Sequence, residues 1–193
     1  LHEPERSAVR NGNFMAVRSD HEWQVIPTPW IRAAMDRWRD DGWRGLTMTA
    51  LGVDVAAGGA DHTIVARRYG SWFAPLIDRP GVETPGGEEI IGLVVANQRD
   101  NAAIVVDVGG NFGSGPVMVL KGNGMNVVGF DGGKPSNKTA LGSGAPYFNK
   151  RAEAYWRFRE ALDPDQEGGS PIALPNDQSL LADLTATRRK PHA

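Results

Sequence analysis

Two aspartates set inside apolar runs constrain this chain more than any other feature. Asp54 interrupts Leu51-Gly52-Val53-Asp54-Val55-Ala56, and Asp107 interrupts Ala102-Ala103-Ile104-Val105-Val106-Asp107-Val108. Each acid stands near the C-terminal end of a run that reads as a strand, just before a glycine-containing turn. An ionised carboxylate in such a place is costly unless something pairs with it. Neighbouring parallel strands lie about 4.8 Å apart, so the two side chains would converge on one face. Converging carboxylates repel unless a cation intervenes. Two metal ions about 4 Å apart could then activate water and stabilise a leaving oxygen in phosphodiester cleavage. Either residue alone could instead cap the turn that follows it; the repeated setting favours the metal. Asp61 is expected to shape the turn between the first two strands.

The elements around these runs set the fold class. Leu51–Ala56, Thr63–Tyr69 and Trp72–Ile77 form an expected antiparallel three-strand meander, with Gly70-Ser71 as the hairpin signal between the last two. Glu88–Gln98 reads as a helix, Ala102–Val108 as a doubly buried strand, Pro116–Lys121 as a short helix and Asn126–Phe130 as another buried strand. Helices are expected at Phe148–Leu162 and Asp177–Thr187. The result is an α/β domain with a mixed sheet, the meander plus parallel strands, flanked by helices, in the order of a ribonuclease H-like domain. Residues 1–47 differ from this. They are rich in Arg, Asp and Trp, with a Pro27-Thr28-Pro29 break before a helix over Trp30–Trp38, and read as a linker or packing extension to a domain at 48–193.

Composition narrows the chemistry. There are 193 residues and no cysteine, which excludes disulfides, thiolate metal sites and thiol nucleophiles. His2, His21, His62 and His192 match no zinc spacing, so a metal would be held by oxygen, favouring Mg²⁺ or Mn²⁺. No stretch approaches the roughly 18 apolar residues of a membrane helix, and no membrane partner is expected. A net charge of −2 does not advertise a nucleic-acid binder, but a basic segment is present. The loop and helix from Lys134 to Arg159 carry Lys134, Lys138, Lys150 and Arg151, a candidate phosphate clamp as much as a solvated loop and helix face. Lys134 and Lys138 are the stronger candidates. The six tryptophans read as packing residues.

Taken together, these segments resemble the large terminase subunits that package DNA in tailed bacteriophages. The resemblance is carried by Gln24-Val25-Ile26-Pro27 with Trp30–Ala34, by Leu51–Thr63 and by Val105–Gly110. Asn149–Glu153 and Ile172–Leu184 add to it, so it spans nearly the whole chain. It implies a metal-dependent endonuclease that cuts concatemeric viral double-stranded DNA, with Asp54 and Asp107 as catalytic metal ligands and two Mg²⁺ or Mn²⁺ ions. It also implies a terminase ATPase domain, the small terminase subunit and the capsid portal as partners, in the host cytoplasm during phage assembly. The sequence departs from the family pattern in two respects. It contains no GxxxxGK[ST] motif, since Gly132-Gly133-Lys134-Pro135 fails it in spacing and by its proline. The family's further metal-binding aspartate is expected beyond Ala193, which reads as a C-terminal truncation, and Asp183 is the available third acid. Two other readings stay open: a docking module of the packaging motor without catalysis, and an actin- or sugar-kinase-like ATPase half.

Overall fold

The computed structural model describes residues 20–56, 58, 60–110, 112–141 and 143–189. Residues 1–19 of the expected extension, and the basic tail from Lys190 onward, lie outside them. Six strands form one mixed sheet: β1 (Met48–Asp54), β2 (His62–Tyr69), β3 (Trp72–Phe73), β4 (Ile77–Pro80), β5 (Ala103–Asp107) and β6 (Val127–Phe130). The spatial order is β3-β2-β1-β5-β6, with β4 also paired to β2. β1, β2 and their β3 and β4 partners run antiparallel, whereas β1-β5 and β5-β6 are parallel. The sheet is the expected one.

One expected strand is divided. Trp72–Ile77 reads as continuous, but only Trp72–Phe73 and Ile77–Pro80 pair with β2. Pro75 falls between them; it has no N–H to donate to the ladder, so the strand breaks there.

The two faces of the sheet differ, and that difference positions the site. Helices α2 (Gly87–Asn97) and α3 (Ser114–Gly122) form the crossovers to β5 and β6. They bury Ile90, Val94 and Leu120 against Leu51, Val53, Val65, Ile104 and Val106. Fully burying each such side chain contributes about 1.5–3 kcal/mol, which makes this layer the main core. Strand side chains alternate between faces, so Gly52 and Asp54 of β1 point the other way, as do Val105 and Asp107 of β5. None of these four is fully buried.

The remaining helices are α1 (Thr28–Arg37), α4 (Lys150–Leu162) and α5 (Gln178–Ala186). Pro29 occupies the first turn of α1, where a missing N–H costs nothing. Ile26, Ile31, Ala34 and Met35 pack with Leu162, Ile172, Leu174 and Leu181 in a second core. Residues 24–37 therefore share a core with α4 and α5. Trp38 stacks on Trp72 at 5.7 Å between ring centroids, and Arg159 lies over the rings of Trp30 and Trp156. These contacts are the packing roles expected of the tryptophans; Trp43 is half exposed. No helix among the described residues is long and apolar enough to cross a membrane.

Helix α4 begins two residues later than Phe148. The Asn149 carboxamide oxygen accepts from Ala152 N at 2.8 Å, an N-cap that stops the helix from extending backward. Asn149→Ala is expected to lower stability by about 1 kcal/mol, read as a shifted urea midpoint at unchanged slope. An unchanged midpoint would mean that the cap does not hold this helix end.

Candidate active site

The strand register brings the two aspartates together. β1 and β5 pair in parallel as far as Val53 and Val106, and one step further the same register sets Asp54 beside Asp107. Adjacent strands are about 4.8 Å apart, and both side chains leave the sheet on its partly covered face. The pair sits at the carboxyl ends of parallel strands, where open α/β sheets place their ligand crevices.

Asp54 and Asp107 also have local backbone contacts. The Asp107 Oδ1 accepts from Gly109 N at 2.8 Å, and Asp54 accepts from the Val55 backbone. The alternative of turn capping has a contact at one oxygen of Asp107, and that contact is compatible with two acids side by side at the strand ends. The Asp54 carboxyl is pushed above its ordinary value. Partial loss of hydration is the main cause, and the charge of Asp107 is next. Val55 and Arg151 act against this rise, while Asp61 adds to it. Two oxygen-donor side chains whose charges repel are a set that suits a hard divalent cation.

Glycines let the chain close around this point. A Cβ on Gly113 would stand 2.2 Å from the Asp107 carbonyl oxygen, so only glycine lets α3 start directly above β5. The turn after Asp107 passes through Gly110 at φ +80°, in the left-handed region that glycine enters without strain.

The basic residues divide. Arg151 reaches the site: its backbone N–H donates to Gly132 O at 3.0 Å, and its side chain lies across Gly132, two residues beyond β6. Its guanidinium is the cation whose charge reaches Asp54. Lys134, Lys138 and Lys150 are exposed on the segment leading into α4, with Lys134 in a loose 3.9 Å ion pair with Asp131. Asp183 stands exposed on α5, which packs against α1, and it is not among the charges acting on Asp54. Asp61 is, a proximity the sequence reading missed. Its carbonyl accepts from Gly81 N at 2.8 Å, which continues the β2–β4 pairing by one step. Among the described residues, no three His, Asp or Glu side chains converge as a ready metal cage.

Sequence reading also missed Ser136 and Glu153. The Ser136 hydroxyl donates to Glu153 Oε2 at 2.7 Å, and Arg157 Nε donates to Oε1 at 2.8 Å. The serine first, then the arginine, hold the Glu153 carboxyl below its ordinary range. This anchor ties the basic segment to the first turn of α4. Its one sequence signal is Asn149 with Glu153 four residues on, the mark of a helix start.

No family model matches this chain, and no curated protein does. Solved structures do. The nuclease domain of the large terminase subunit gp2 of bacterial virus Sf6 is 20% identical over 88% of this chain and 84% of that one, with a TM-score of 0.64. This chain has the fold of a large-terminase nuclease domain. A lysine-to-alanine variant of the Sf6 domain, solved with manganese and beta-thujaplicinol, aligns equally well. The large terminase nuclease from thermophilic phage G20c, with bound magnesium, is 17% identical over 78% of this chain and 69% of that one, with a TM-score of 0.50. The mixed sheet flanked by helices is the ribonuclease H-like architecture of these terminase nucleases, as the sequence reading expected.

Proposed function

We propose that this chain is a metal-dependent endonuclease that cleaves concatemeric viral double-stranded DNA during genome packaging. The observation that carries the proposal is the parallel β1–β5 register, which ends at Val53 and Val106 and so sets Asp54 and Asp107 next to each other at the strand ends. The terminase nuclease structures of the same fold that hold manganese or magnesium support it. Asp54 and Asp107 would hold the cations, and Asp183 is the further acid the sequence offers as a ligand. Two bound Mg²⁺ or Mn²⁺ ions would supply a water of lowered pKa and a Lewis acid for the leaving oxygen. The protein's own part is binding and orientation. The Gly109 amide fixes the rotamer of Asp107, and Arg151 offers a planar fork of donors to a phosphate beside the acids. Lys134, Lys138 and Lys150 extend the positive surface along the duplex backbone. The ATPase domain, the small terminase subunit and the capsid portal are the proposed assembly partners.

The hydrogen bond from Gly109 to Asp107 is equally what a purely structural role would need, so it does not separate the nuclease from the docking-module reading. A plasmid assay separates the two. Supercoiled DNA is expected to convert to nicked and linear forms in millimolar Mn²⁺ and to stay supercoiled in EDTA. Folded protein that leaves the plasmid intact across Mn²⁺ and Mg²⁺ titrations would sink the nuclease reading.

A further inference from the structure

The most exposed aromatic among the described residues is Phe148, at 90% relative accessibility, and its surroundings set it apart from an incidental surface apolar residue. Single exposed apolar residues are ordinary on protein surfaces. Phe148, however, is held on backbone that is fixed on both sides. Tyr147 before it is buried, and its N–H donates to Lys138 O at 3.2 Å. Asn149 after it is the N-cap of α4, and Lys150 N donates to Lys134 O at 2.9 Å. The carbonyls of Lys138 and Lys134 therefore accept from Tyr147, directly before Phe148, and from Lys150, two residues after it. The base of this excursion is tied down again by Ser136 to Glu153 and by Arg151 to Gly132. This hydrogen-bonded backbone thus presents one apolar ring on the segment that carries three exposed lysines, next to the helix turn that carries Arg151, whose charge reaches Asp54.

We infer that Phe148 is an apolar contact to duplex DNA, seated in the minor groove against sugars and base edges while Lys134, Lys138 and Lys150 hold the flanking phosphates. The inference rests on the nuclease reading for its substrate. Cationic charge selects a polyanion over an apolar protein surface. Duplex DNA joins a phosphate backbone to apolar sugar and base surface within one groove width. Apolar side chains used this way press on or between base steps, and a ring with two rotatable bonds on fixed backbone loses little entropy on docking. The lysines supply a salt-dependent, sequence-independent attraction, and the ring supplies a salt-independent part. The position beside Asp54 and Asp107 would hold the duplex where it is to be cut.

The two parts can be measured separately. Binding of a labelled 30-base-pair duplex to the full chain is followed by fluorescence anisotropy at several salt concentrations, without divalent metal. Phe148→Ala is expected to weaken binding about tenfold with an unchanged slope of log K against log salt, and Phe148→Trp to restore it. Lys134→Ala with Lys150→Ala is expected to flatten the slope by about 2. Melting temperature serves as the folding control, since a side chain this exposed contributes little to the core. Equal affinity for wild type and Phe148→Ala would overturn the inference and leave the nuclease reading standing. So would a loss of affinity carried wholly by the salt slope, or a change only in self-association by sedimentation, which would make the ring a protein contact. If the wild type binds DNA with the Phe148 dependence yet never nicks plasmid in Mn²⁺, the nuclease reading fails and the contact stands.

Discussion

Asp54→Asn and Asp107→Asn are each expected to lower Mn²⁺-dependent plasmid cleavage by on the order of a thousandfold or more, with the metal-free protein no less stable than the wild type. The first half follows from the proposed site. An amide oxygen is a neutral donor, and where the two acids at the strand ends are the proposed ligands neither is dispensable to a divalent cation. The second half follows from electrostatics. The Asp54 carboxyl in the folded protein is raised above its ordinary 3.8, first by lost hydration and then by Asp107. An acid with a raised folded pKa favours folding most when protonated, below the unfolded value. That advantage disappears as pH rises through the folded value, and at neutral pH the ionised group is a net cost. Asparagine carries no such cost. The melting temperature of Asp54→Asn relative to wild type should therefore climb as pH rises from about 4 through the raised folded value, and then level off. Two outcomes would count against this account. One is full cleavage activity in either variant. The other is a fall in melting temperature for both, which would mean that turn capping outweighs repulsion.

Gly113→Ala is the second large effect, and it acts on fold and site together. The added Cβ would meet the Asp107 carbonyl oxygen at 2.2 Å and the Val106 Cγ1 at 2.9 Å. The oxygen belongs to the backbone of a central strand and cannot rotate away. Relief requires α3 to lift from β5, which loosens Leu120 in the main core and shifts Asp107. Overpacking of this kind costs about 1–3 kcal/mol or somewhat more. For a chain of this length that corresponds to a fall of roughly 2–12 °C in melting temperature. Cleavage should fall as well, because the shift is applied at Asp107 itself. Gly92→Ala is the control, since its Cβ would meet nothing within 4 Å and alanine favours the helix. A Gly113→Ala protein that melts with the wild type and cuts at the same rate would mean that the α3 start adjusts freely.

Much of this was legible in the chain because apolar periodicity is a local signal. Ala102–Val108 and Leu51–Ala56 announce themselves as strands by their apolar content, and each acid stands out because its surroundings are apolar. Residues 24–37 were harder to place. Their helix was readable from Ile31, Ala34, Met35 and Trp38, but nothing local says that they share a core with Leu162 and Leu174, more than a hundred residues away. The Trp72–Ile77 run was overextended because aromatic and apolar content outweighed the single Pro75. Phe148 was absorbed into the following helix because its apolar character fits helical spacing, whereas the cap at Asn149 excludes it.

The sequence by itself therefore determined most of the elements, their order along the chain and the apolar setting of the two acids. Those properties depend on residues close together in the chain, where side-chain type and period suffice. The tertiary structure alone decided which charges surround Asp54. Asp61 and Arg151 come near it, and Asp183 is not among the charges that act on it. It also decided that Phe148 stands exposed on a hydrogen-bonded segment shared with exposed lysines. Those facts depend on how β6 and the 131–149 segment return to the strand ends. Hydrogen bonds such as Lys150 to Lys134 and Arg151 to Gly132 set that return, and they join backbone groups whose sequence carries no trace of the pairing.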